Sequence, residues 1–185
     1  MINKLINEHL SISKSLINNI DLIKDIAEQC SKALLSNKKI ILCGNGGSAA
    51  DSIHIAAELV GRFNDDRKSF PAISLASNPS NLTAISNDYG FQHVFARQIE
   101  GLGNHGDILI ALSTSGNSEN IINAINSAKD KKMIIIGLTG KDGGKMINSH
   151  CHYCLKINSD NTARIQEMHL LIGHIICEYI EDNID

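Results

Sequence analysis

Tryptophan is absent from the 185 residues, and aromatic side chains make up only 4% of them. Flat platforms for stacking bases or sugar rings are therefore scarce, which argues against a single-stranded nucleic acid as ligand. An excess of one charge is missing too. Seventeen basic residues stand against 20 acidic ones, for a net charge of -3. Neither a nucleic-acid-binding surface nor an acidic solvating tail is implied. Apolar runs such as Met133 to Ile136 are a strand's length, far short of the ~20 residues that span a bilayer. No linker, low-complexity tract or internal repeat interrupts the chain. The opening Met1-Ile2-Asn3-Lys4 does not begin a basic-then-apolar leader. Five cysteines, an odd count without a leader, predict reduced thiols and a cytoplasmic location. Cys151 and Cys154 have CxxC spacing, but no second pair matches them as a structural zinc site would require. The segment from Cys151 to Ile157 alternates as a strand does.

What is present is the make-up of one soluble domain over 1–185, with 43% hydrophobic and 20% charged residues, enough to bury a core without staples. Residues 1–36 carry apolar side chains at threes and fours, from Leu5 and Ile6 to Cys30 and Leu34. Two helices are expected, broken near Ser13 or Asn18-Asn19, with an apolar stripe that packs on the core or on a partner subunit. Beyond them, short apolar strands alternate with helices. Strands are expected at 39–43, 72–75, 108–112, 133–138 and 151–157. Helices are expected at 49–63, 80–100 around a turn at Asn87-Asp88-Tyr89-Gly90, 119–129 and 162–181. This grammar predicts an α/β three-layer sandwich with a five-stranded parallel sheet, flavodoxin-like or Rossmann-like. Ligands of such sheets bind beyond the carboxyl ends of the strands.

Two unusual loops fall at those ends. Ser113-Thr114-Ser115-Gly116-Asn117-Ser118 places four hydroxyls just before a helix. Hydroxyls and the free N–H groups of a first helical turn can cradle a phosphate. The loop has no lysine, so it is no Walker A loop; it suits a phosphate monoester, although a Ser-rich helix cap has a similar look. Gly44-Asn45-Gly46-Gly47-Ser48-Ala49 is a tight strand-to-helix turn that also meets a relaxed dinucleotide fingerprint, with Asp65 and Asp66 near the place of a ribose-binding acid. A dehydrogenase would have no use for the hydroxyl loop. His54 and Glu58 stand one helical turn apart on one face, spaced to share a divalent metal, to cooperate in proton transfer, or simply to pair at the surface. The last helix carries Gln166, His169 and His174 among apolar neighbours. Apolar residues ring it, so it is expected to be buried on more than one side, with His174 as a core histidine or a ligand. Gln166 and His174 are eight residues apart, ~12 Å along a helix axis, so one small ligand touched by both from the same helix would be stretched, and contributions from two subunits are an alternative.

Four stretches together carry a family resemblance: CGNGGSAADSIHIAAELVGRF (43–63), ISNDYGF (85–91), ALSTSGNS (111–118) and TARIQEMHLLIGH (162–174). The sequence resembles the phosphoheptose isomerases (sedoheptulose 7-phosphate isomerases) of the SIS fold. The N-terminal helices and the loops near 64–71 and 141–150 carry little of the match. The resemblance implies an aldose–ketose isomerase that converts sedoheptulose 7-phosphate to D-glycero-D-manno-heptose 7-phosphate, toward nucleotide-activated heptose for lipopolysaccharide core or capsule. It implies a homotetramer with active sites at subunit contacts and one zinc per site. It assigns Asn45, Gly46, Gly47 and Ser48 to the sugar phosphate, Ser113, Thr114, Ser115 and Ser118 to the phosphate, and Asn87 and Asp88 to substrate hydroxyls. It assigns His54, Glu58, Gln166 and His174 to the metal, with Glu58 also the base and His174 its acid partner.

These residue types suit the reaction. An enediol route needs a carboxylate that moves a proton between C1 and C2 and a second group that serves the oxygens. A divalent metal polarises the carbonyl, and anchoring a distant phosphate orients the chain. The nearest rival is a non-catalytic SIS protein that binds a sugar phosphate or associates with the bacterial replication initiator. The presence of both Glu58 and His174 favours the enzyme.

Overall fold

In the computed structural model, which describes residues 1–184, five parallel strands form one sheet in the order β2-β1-β3-β4-β5. They are β1 (Ile40–Cys43), β2 (Ala72–Ser74), β3 (Ile108–Ser113), β4 (Ile134–Thr139) and β5 (Tyr153–Lys156). The order is that of a doubly wound sheet, which reverses between β1 and β3. Side chains alternate across it. Ile40 and Leu42 enter one apolar core, Ile41 and Cys43 the other. The first core lies under α2 (Ile20–Leu35), α3 (Gly47–Val60) and α7 (Thr162–Asn183). The second lies under α5 (Ala96–Leu102) and α6 (Glu119–Asp130). The expected three layers are all present.

Local chemistry sets the boundaries. α1 (Ile2–Ser15) stops at a 3-10 turn over Leu16–Asn19, where the Asn18-Asn19 break was expected. In α2, Ile23, Ile26, Ala27, Cys30 and Leu34 form a buried stripe, and Asn37 ends the helix in the left-handed conformation at φ 56°. α4 (Pro79–Tyr89) begins with the Asn78 side chain accepting from the N–H groups of Ser80 and Asn81, with Pro79 at the first helical position. The polar loop after α3 is tied down by Glu181 of α7. Its carboxylate accepts from the N–H groups of Phe63, Asn64 and Asp65 and pairs with Arg67 at 2.9 Å.

The structure shifts two expectations. β5 begins at Tyr153, and Cys151 lies in the turn before it. There His152 takes over the pairing with β4: its N–H donates to the Ile135 carbonyl, and its ring Nδ1 accepts from the Ile135 N–H at 3.0 Å. The helical span 80–100 is α4 and α5 separated by a 3-10 turn at Phe91–His93, so Asn87 and Asp88 sit in the last turn of α4. The N-terminal segment divides its labour. α2 packs on the core and α7, whereas α1 buries none of its residues and leaves Ile2, Leu5, Ile6 and Leu10 exposed. Leu16, Ile17, Ile20 and Ile23 face Leu171 and Ile175 across an apolar groove of about 480 Å³. Among the described residues, no helix is long and apolar enough to cross a membrane.

The core histidine of α7 is His169, not His174. His169 is fully buried, its Nε2 donates to the Thr139 carbonyl at 3.1 Å, and its Nδ1 has no partner. Burial pushes its pKa down to about 4, against a smaller upward pull from the Thr139 carbonyl. An unfolded histidine protonates at about pH 6.5. Between those values the unfolded chain binds the extra proton, so stability falls as pH drops through this window and levels off below it. The expected loss is roughly 3 kcal/mol. Urea midpoints measured from pH 7 to pH 4 should show that decline, and His169→Gln should flatten it.

Candidate functional site

Two clusters of functional side chains lie along α3. The first is at the carboxyl ends of β1 and β3, the neighbouring strands between which the winding reverses. β1 runs into Gly44, where a Cβ would meet the backbone of Ser48, and Gly46 turns the chain at φ 55°. α3 then starts at Gly47. Across from it, Ser113 and Ser118 hold their hydroxyls 3.2 Å apart. Gly116, at φ 64°, packs against the Gly143 carbonyl. The chain over 142–148 holds the loop from behind: Met146 N–H donates to the Gly116 carbonyl at 2.9 Å, and Lys145 N–H to Asn117 Oδ1 at 3.1 Å.

Asn45, Gly46, Gly47, Ser48, Ser113, Thr114, Ser118 and Gln166 border one cavity of about 270 Å³, with Leu112 and Thr162. No charged side chain borders it. The amino-terminal turns of α3, α6 and α7 do, at Gly47, Ser118 and Thr162. An anion held there meets free N–H groups and the positive ends of helix dipoles. Ser115 is placed differently from the other three hydroxyls of its loop: its Oγ accepts from the Asn117 N–H within the loop. Gln166 lies over Gly47, with its Nε2 3.5 Å from Ser48 Oγ. Asn120 was not anticipated. It is buried, and its amide exchanges two hydrogen bonds with Asn45, at 2.9 and 2.8 Å, fixing the glycine turn to α6. The sequence carried no signal for it beyond an asparagine in the first turn after the hydroxyl loop.

The second cluster is His54, Glu58 and His174. His54 Nε2 lies 3.2 Å from Glu58 Oε1 and 3.0 Å from His174 Nε2, and one ligand atom from each of the three fits within 4.8 Å of the others. Glu58 has a quarter of its side chain exposed, His54 about half. The Phe63 ring lies 5.5 Å from the His174 ring and covers one side. Metal bonds of about 2.1 Å in a tetrahedron set donors ~3.4 Å apart. Two imidazoles and a carboxylate at these separations therefore fit a divalent ion of the zinc type. Asp51, one turn before His54, has a buried Oδ2 with no partner. Burial pushes its carboxyl up, and the neighbouring His54 pulls part of the way back.

The histidine cluster forms because α3 and α7 touch. Ile55 rests on Gly173, where any Cβ would strike the isoleucine side chain. His54 and His174 are the next residues along. Gln166 is two turns back on α7, ~12 Å from His174, so within one protomer it belongs to the cavity rather than to the histidine pair. Asn87 and Asp88 are exposed, bonded to each other at 2.8 Å, and border neither cluster.

Comparison with known proteins decides the family. Residues 7–140 match the SIS domain. The chain is 57% identical over 154 residues to a phosphoheptose isomerase from a Nitratiruptor species, covering 83% of this chain and 82% of that one. It is 48% identical over 184 residues to a phosphoheptose isomerase from Aliarcobacter butzleri, covering 97% of each. The structure of a phosphoheptose isomerase from Francisella tularensis superposes with a TM-score of 0.94 at 36% identity, covering 98% of this chain and 97% of that one. The corresponding protein from Neisseria gonorrhoeae gives 0.92 at 39%, with the same coverage.

The chain belongs to the phosphoheptose isomerase family. It is a sugar-phosphate isomerase by that membership, and the dehydrogenase reading of the glycine turn gives way. For a phosphoheptose isomerase chain the close approach at Gly173 has a measurable consequence. Gly173→Ala should force α3 and α7 apart, destabilise the fold by about 1–3 kcal/mol, and separate His54 from His174. Denaturant unfolding and a crystal structure of the variant check both effects.

Proposed function

We propose that the protein interconverts sedoheptulose 7-phosphate and D-glycero-D-manno-heptose 7-phosphate through an enediol, with Glu58 as the carbon base and His174 as its acid partner. The observation that carries this reading is the meeting of His174 of α7 with Glu58 and His54 of α3, the helix whose first turn borders the hydroxyl-lined cavity. A largely covered carboxylate beside an imidazole has the chemistry to take a proton from one carbon and return it to the next. His174 then serves the oxygens, donating to one as the other gives up its proton.

The cavity is the proposed phosphate anchor. Ser113, Thr114, Ser118 and Ser48, with the backbone of Asn45, Gly46 and Gly47, supply hydroxyl and N–H donors without a fixed cation, a set matched to a monoester. Ser115 shapes the loop and adds its backbone. Holding the phosphate makes proton transfer at the far end of the sugar effectively intramolecular. His54, Glu58 and His174 would hold a zinc ion, with Gln166 as a further ligand. Such an ion, when bound, polarises the carbonyl and offsets the charge of the enediolate.

Ser48 and Glu58 are ten residues apart on α3, ~15 Å along the axis. We read each active site as shared, with the cavity and Gln166 of one copy facing the histidine pair of a neighbour in a homotetramer. The exposed Asn87 and Asp88 then reach substrate hydroxyls from the same contact. The apolar faces of α1 and the groove beside α7 supply the surface for such contacts. The product would feed nucleotide-activated heptose for lipopolysaccharide core or capsule, in the cytoplasm.

Assays with sedoheptulose 7-phosphate test the base. Glu58→Gln should lower kcat by about 100-fold or more with the unfolding midpoint little changed; near-wild-type turnover would remove Glu58 from that role. Metal analysis tests the ion. Purified protein should carry zinc, His54→Ala should lose it, and chelation should lower activity that added zinc restores. Full activity after complete stripping would defeat the assignment.

A further inference from the structure

Cys151 and Cys154 have no place in the isomerase chemistry. Cys154 lies on β5, at the sheet's outer edge, and Cys151 in the turn that enters it. That turn, held by the two hydrogen bonds of His152 to Ile135, doubles the chain back so that both sulfurs reach the same spot on β4. The spot is Gly137. A Cβ there would sit 2.9 Å from Cys151 Sγ, 3.3 Å from Cys154 Sγ and 3.1 Å from Met146 Sδ. The two thiols are neighbours across a gap that glycine leaves open.

They differ from the other cysteines. Cys30, Cys43 and Cys177 are buried, and burial pushes each thiol up to about 12. Cys151 and Cys154 are half-exposed. The Cys154 thiol, hydrogen-bonding to Cys151, draws Cys151 below its ordinary value against the opposing effect of burial, and the Ser149 hydroxyl at 3.3 Å adds to this. The same bond raises Cys154. One thiol is thereby prepared to attack and the other to resolve.

We propose that Cys151 and Cys154 form a redox-active dithiol, which a low-molecular-weight disulfide such as oxidised glutathione converts to an intramolecular disulfide. Cys151 releases its proton to water and attacks one sulfur of the oxidant. That disulfide breaks, and the first glutathione leaves as a thiolate that takes up a proton. Cys154 then loses its proton and attacks Cys151 Sγ. The mixed disulfide breaks, and the second glutathione leaves and is protonated. Two protein thiols give up two electrons and two protons, and one oxidised glutathione becomes two reduced molecules.

The test is incubation of the whole protein with oxidised glutathione, followed by alkylation, non-reducing digestion and mass spectrometry. The peptide holding both cysteines should lose about 2 Da, the mass of two hydrogens, and carry no alkyl group. Cys30, Cys43 and Cys177 should remain alkylatable after denaturation. Cys154→Ser should stop at one glutathione on Cys151, and Cys151→Ser should react at least tenfold more slowly. Failure of the wild-type peptide to lose two hydrogens, glutathione retained on wild-type Cys151, or a Cys151→Ser protein reacting at the wild-type rate would each overturn the proposal.

Discussion

Ile55 of α3 lies directly on Gly173 of α7, and the functional geometry depends on that contact. Helix axes normally stay 8–10 Å apart because side chains stand between them. A glycine removes one of those side chains and lets the helices close. His54 precedes the isoleucine and His174 follows the glycine, so closure brings the two ring nitrogens to 3.0 Å. Glu58 joins them because it is one turn beyond His54 on the same face. Phe63, whose N–H is held by Glu181, covers one side of the His174 ring. The three side chains thus sit on two long helices anchored in the core rather than on loops, which holds them to close tolerances.

The other end of α3 is governed by the sheet. Parallel strands point their carboxyl ends the same way, and reversal of the winding between β1 and β3 leaves a crevice between their loops. The amino-terminal turns of α3, α6 and α7 converge there. Their free N–H groups supply positive potential without a lysine or arginine in the lining. The glycine turn is small because a Cβ at Gly44 would strike the Ser48 backbone and one at Gly47 the Gln166 side chain, and Asn120 holds it through Asn45. One helix therefore runs from the proposed phosphate anchor to the proposed carbon base.

Much of this was legible in the letters. The strands announced themselves as apolar runs because both faces of the sheet are covered, and hydroxyls crowded before a helix marked one wall of the cavity. The failures have physical causes. β5 starts late because the His152 ring replaces a backbone acceptor, which periodicity does not register. His174 stayed open between core and ligand because the letters mark an apolar helix without showing which of two histidines, five residues apart, turns inward; His169 does, and His174 joins His54 and Glu58. Asn120 and Asp51 passed unnoticed because burial of a polar side chain emerges only in three dimensions. The place of Gln166 was half legible: the eight-residue spacing already separated it from His174, and its resting place over Gly47 was visible only once folded.

The surface left over after folding bears on the proposed assembly. α2 completes the core, yet α1 continues past it with no buried residue and four large aliphatic side chains in solvent. Polar ties fix its position all the same: His9 pairs with Glu167 at 2.7 Å, and Arg164 donates to the Leu5 carbonyl at 2.8 Å. A helix held in place by α7 and touching the core only through the partly buried Ile12 has the rest of its apolar face available for contact with another surface. The same α7 carries Gln166 at its start, His174 at its middle and, between them, Leu171, which with Ile175 lines the groove beside α2. Contacts that cover this groove would also set how the cavity of one copy faces the histidine pair of another. Folding of the core and completion of the active site would then be two separate uses of one hydrophobic helix.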